Sequence, residues 1–124
     1  MVIIDELLMW VERDSYAAGS VCEIHYEYLL ANEAEDAPLL DVLQVYCEVW
    51  GKGRILNEPL GDFIYDQHAY SMTQSPSKQK RHFVVPCHML DHELGPDKIF
   101  IRVFVTTEQG VEISADSAVV NDRF

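Results

Sequence analysis

The chain has 124 residues, 48% hydrophobic and 24% charged, ordinary values for one domain that buries a core without staples and too apolar for wholesale disorder. Lys and Arg total 9 against 21 for Asp and Glu, a formal charge of −12, which repels phosphate backbones and anionic lipid and argues against nucleic-acid or membrane partners. The opening MVIIDELLMWVERD carries Asp5 and Glu6 inside its apolar run, unlike a secretory signal, and no stretch approaches the ~20 apolar residues of a membrane span, so a soluble cytoplasmic domain is expected.

The first dozen residues carry two patterns. Ile3, Ile4, Leu7, Leu8 and Val11 fit one helical face, while LLMWVER alternates like a strand; a strand is favoured, with a short helix as the alternative. VCEIHYEYLL is plainer. Cys22, Ile24, Tyr26, Tyr28 and Leu30 share one face and Glu23, His25 and Glu27 the other, which predicts a half-buried strand. The acidic ANEAEDAPLLD ends in Pro38 and reads as a loop. In VLQVYCEVWG, Leu43, Val45, Cys47 and Val49 alternate up to the Gly51–Gly53 stop, making a further strand. DFIYDQHAYSM is strand-like in composition but weakly alternating, and TQSPSKQKR after it reads as a mobile loop carrying Lys78, Lys80 and Arg81, the only dense basic run. HFVVP is a short strand closed by Pro86, which lacks an amide donor. KIFIRVFV points Ile99, Ile101, Val103 and Val105 one way. TTEQG is turn chemistry with Gly110 suited to positive φ, and VEISADSAVV returns as the last strand.

About seven short strands with turns between them, in a chain of this size, predict an all-β antiparallel sandwich filling residues 1–124 as a single domain. GPDKIFIRVFVTTEQGVEISADSAVV resembles the last hairpin of immunoglobulin-like and fibronectin type III-like domains: a turn, an aromatic-rich strand, a Gly turn and a Ser-containing closing strand. VCEIHYEYLL and VLQVYCEVWG then take the places of the second and third strands. The resemblance implies that the third and sixth strands are neighbours in one sheet.

Three cysteines, Cys22, Cys47 and Cys87, lack CxxC spacing, and reduced thiols are expected; in an exported chain Cys22 and Cys47 would be the pair to suspect. CHMLDHELG places His88, Asp91 and His92 at the spacing of an inverted zinc-peptidase motif with Asp for Glu, so that on a helix both imidazoles could reach one zinc. Pro86 behind and Gly95-Pro96 ahead leave little room for that helix, and the segment reads better as a bend over Leu90 and Leu94. A Cys87, His88 and Asp91 nucleophile set fails if the stretch is extended, because adjacent residues on a strand point to opposite faces. His25 lies between two glutamates on an outward face, His82 opens HFVVP, and His68 lacks an evident partner. Glu33, Glu35 and Asp36 offer oxygens for calcium without the alternating pattern of a calcium loop. No cofactor is expected.

The more informative feature is aromatic. Tyr46 and Trp50 take the parity opposite to the core residues of their strand, and so do Phe100 and Phe104 of theirs, with Arg102 between. On neighbouring strands these side chains would form one outer face, and exposed apolar patches of this kind meet partners. The expectation is a non-enzymatic interaction module binding a protein partner, or a second copy as a homodimer, through Tyr46, Trp50, Phe100, Arg102 and Phe104. The alternative is a zinc- or calcium-binding or hydrolytic domain centred on residues 87–93.

Overall fold

The structure, a computed structural model, describes residues 2–13, 19–32, 42–53, 56–60, 66–71, 76–91, 97–108, 110–122 and 124. They form nine strands: β1 (Val2–Arg13), β2 (Val21–Asn32), β3 (Val42–Gly51), β4 (Glu58–Pro59), β5 (Asp66–Ser71), β6 (Ser77–Pro86), β7 (Asp97–Thr106), β8 (Glu112–Asp116) and β9 (Val120–Asp122). All pairings are antiparallel. One sheet runs β1-β2-β6. The other runs β4-β3-β7-β8, with β5 also on β3 and β9 also on β7. The all-β two-sheet architecture agrees with the sequence.

The core is the alternation made solid. Cys22, Ile24, Tyr26, Tyr28 and Leu30 of β2 face Leu43, Val45, Cys47 and Val49 of β3 and Ile99, Ile101, Val103 and Val105 of β7, all buried. Gly110 takes the positive φ, 82°, that its turn requires.

Residues 2–13 are strand throughout, so the short N-terminal helix is corrected. The cause of the ambiguity is a β-bulge. The β1–β2 register slips between Asp5 and Leu8, where Glu6 adopts φ 51° and its amide donates to the Asp5 carboxylate at 2.9 Å. The extra residue switches the phase of the alternation. Val2 and Ile4 before the bulge and Leu7, Met9 and Val11 after it therefore face the same core, which imitates helical spacing.

Other departures also have local causes. Ser77 to Arg81 belong to β6 rather than a mobile loop, pairing with Leu30 to Tyr26 of β2. Their inward residues, Ser77, Gln79 and Arg81, are polar, so hydrophobic alternation is missing where the strand begins. The closing strand is two, because Ser117 steps between β8 and β9: its Oγ accepts from the Ile101 amide at 3.0 Å and its own amide donates to the Ile101 carbonyl at 2.9 Å. The cysteine expectation is corrected as well. Cys22 and Cys87 form a disulfide with Cα atoms 5.2 Å apart, while Cys47 is free and buried on the other sheet. The amide of Cys87 donates to the Ser20 carbonyl at 3.0 Å, holding the end of β6 beside the start of β2.

Candidate functional site

The β3–β7 register puts Tyr46 opposite Phe104, Glu48 opposite Arg102 and Trp50 opposite Phe100. The five residues read from the sequence as a partner-binding face therefore lie together on the outer side of the larger sheet. Its two halves differ. At one end Trp50 and Phe100 stack with ring centroids 6.3 Å apart, and the Arg102 guanidinium lies 4.5 Å from the Trp50 ring centre and 5.8 Å from that of Phe100. Asp116, opposite Arg102 across the β7–β8 pairing, accepts from Arg102 Nε at 2.7 Å and from its terminal nitrogen at 3.1 Å. That ion pair holds Arg102 over the rings and raises its pKa further, against the opposing effect of partial burial. Trp50 Nε1 donates to Glu48 at 3.1 Å. Phe100, only 4% exposed, is thus covered by the chain's own side chains, while Trp50 is half-buried.

The other half carries a depression. Tyr46 and Phe104, both half-buried, border a depression of about 260 Å³ that Glu48 and Glu112 also line among the described residues. Two rings and two carboxylates at one depression can attract a positively charged side chain: ring faces draw a cation and Glu112 offers an ion-pair partner, while Glu48 already faces Arg102 across the β3–β7 pairing and interacts with its charge. Glu48 could be read from the sequence, since it shares parity with Tyr46 and Trp50. Glu112 and Asp116 could not, because their position depends on the hairpin register.

CHMLDHELG is described over its first five residues. Cys87–Leu90 form one 3-10 turn over the buried Leu90, His88 and Asp91 are exposed, and His92, Leu94, Glu33, Glu35 and Asp36 lie outside the described residues. Cys87 is bonded to Cys22, so its thiol is not available beside His88.

His68 has a partner after all. Its Nε2 lies 3.3 Å from the Tyr28 hydroxyl inside the sandwich, where burial lowers its pKa. Next to it, Asp66 on β5 accepts from Tyr26 OH at 2.6 Å and from Arg81 Nε and its terminal nitrogen at 3.1 and 3.0 Å, tying the larger sheet to both β2 and β6. Burial alone would push the Asp66 carboxyl up. The Arg81 and Tyr26 hydrogen bonds outweigh it and hold the pKa below the usual carboxylate value. Tyr26 is pushed far up, chiefly by burial, and stays a hydroxyl donor. Asp66, Tyr26 and Arg81 pair with one another as a polar clamp between the sheets, while the buried Nδ1 of His68 has no hydrogen-bond partner among the described residues.

No family model and no curated protein matches the chain. Among solved structures it is similar to one described as the X-ray structure of Northeast Structural Genomics Consortium target SoR45, at 8% identity and TM-score 0.40, over 99% of this chain and 86% of that one. No helix among the described residues is long and apolar enough to cross a membrane.

Proposed function

We propose that the chain is a non-enzymatic interaction module, a sandwich of the immunoglobulin-like and fibronectin type III-like kind, that binds a protein partner by taking its Lys or Arg side chain into the Tyr46–Phe104 depression. The observation that carries this reading is the pairing of two half-buried aromatic rings with Glu48 and Glu112 in one depression, on a chain of formal charge −12. Charge of this sign draws a basic partner in and opposes a second copy of the same chain. The grouping of β1, β2 and β6 against β3, β7 and β8 supports the sandwich type, since it parallels the division of the first, second and fifth strands from the third, sixth and seventh. The Cys22–Cys87 bridge supports residence in an oxidising compartment, where disulfides persist, rather than the cytoplasm.

Peptide selection tests the reading while the partner itself is unidentified. Random peptides are selected on the wild type and counter-selected on the Tyr46→Ala/Phe104→Ala double variant. Enrichment of peptides with Lys or Arg supports it; peptides retained equally by both proteins, or acidic ones, would refute it.

A further inference from the structure

We propose that the outer face of the β1-β2-β6 sheet carries a site for a divalent transition-metal ion of the late first row, with His25, His82 and Glu23 as ligands and Glu12 as an adjoining carboxylate. The three ligands come from adjacent strands. His25 and His82 are partners in the β2–β6 register, and Glu23 precedes His25 by two residues on the same face. One donor atom from each lies within 4.8 Å of the other two, so small rotations would bring all three around one ion.

The immediate surroundings of His25 point the same way. Its Nε2 is shielded from solvent and lies 2.9 Å from a Glu23 oxygen and 3.2 Å from a Glu12 oxygen, and it has no hydrogen-bond partner among the described residues. A nitrogen and two carboxylates that converge to ion-pair distances suit a cation between them. Both supports are themselves fixed: Trp10 stacks on the His25 ring at 5.2 Å with planes 7° apart, and Trp10 Nε1 donates to Glu12 at 3.3 Å. The His82 ring continues the stack 5.4 Å beyond and is exposed, which leaves a coordination position open to water. Two neutral imidazoles and two carboxylates balance a divalent charge. Imidazole nitrogen favours copper, nickel or zinc over calcium or magnesium, and copper(II) heads the affinity order. This site is remote from the proposed partner face and independent of it.

Trp10 makes the site observable, because copper(II) bound at His25 sits against the indole and quenches it. The untagged full chain, stripped with EDTA, is titrated with copper sulfate while tryptophan fluorescence is followed. The expected result is saturable quenching at one equivalent, reversed by EDTA, absent with calcium chloride, and lost in Trp10→Phe although calorimetry still records binding. His82→Ala and Glu23→Gln should each weaken binding about tenfold or more, a loss that supporting residues alone can reach. Glu23→Gln preserves shape and keeps the test decisive if His82→Ala proves unstable. His88→Ala, altered in the turn after β6, should bind like the wild type. Absence of one-equivalent binding, equal binding by Glu23→Gln and His82→Ala, or loss of binding in His88→Ala would each overturn the proposal.

Discussion

Replacing Asp66 by Ala should loosen the sandwich along one side. Asp66 is the acceptor for Tyr26 OH, on a residue only 1% exposed, and for two nitrogens of Arg81. Without the carboxylate the Tyr26 hydroxyl has lost its acceptor inside the protein, a cost of about 1–3 kcal/mol. Arg81 keeps access to water, with its side chain 37% exposed, so loss of its partner adds about 1 kcal/mol rather than the full penalty of a buried ion. The sum, about 2–4 kcal/mol, should appear as a lower urea midpoint with an unchanged slope. The Tyr26→Phe substitution should cost far less in the Asp66→Ala background than in the wild type, a coupling of about 0.5–3 kcal/mol. Because the Asp66 pKa is lowered in the fold, its contribution is full above the unfolded value, about 3.9, and fades as pH falls through the folded one. Asp66→Ala should therefore lose less stability than the wild type on acidification in that range. A midpoint within the equivalent of about 0.5 kcal/mol of wild type would refute the clamp.

Ile101→Ala, in the buried centre of β7, should cost about 2–5 kcal/mol in urea unfolding, and a loss under about 0.5 kcal/mol would mean that the inward parity of β7 is wrong. Breaking the Cys22–Cys87 bridge, which spans 65 residues, with Cys→Ala replacements should lower stability by about 2–4 kcal/mol; an unchanged midpoint would refute its structural role. The Cys47 thiol, pushed up by burial, should react with a thiol reagent only at the rate of unfolding, and rapid labelling of the native protein would contradict its place in the core.

The parts of the fold legible in the sequence are those where one side of a strand is wholly apolar. β2, β3 and β7 announce themselves through Ile24, Val45 and Ile101 and their neighbours, and parity alone carries Tyr46, Trp50, Phe100, Arg102 and Phe104 to one face. Legibility fails where phase or polarity changes inside a strand. The bulge at Glu6 shifts β1 by one residue, and β6 begins with Ser77, Gln79 and Arg81 facing inward to meet Tyr70 and Asp66. Pairings between strands distant in sequence are also hidden. Cys22 meets Cys87, and Tyr28 meets His68, only because β6 and β5 take their places beside β2 and β3. The same holds for the site: residue parity revealed the rings, but the guanidinium cover over Trp50 and the Glu112 wall needed the hairpin register.

The proposed basic partner and a second copy of the chain respond to salt in opposite directions, which makes ionic strength the most direct probe. The affinity of a Lys- or Arg-bearing peptide selected on the face is measured at low and at high salt, beside sedimentation of the chain alone under the same conditions. Attraction between −12 and a cationic side chain is screened by salt, so peptide binding should weaken as salt rises while the chain stays monomeric. Peptide binding that strengthens or is unaffected by salt, with the chain dimerising as its self-repulsion is screened, would contradict recognition of a cation by Tyr46, Phe104, Glu48 and Glu112.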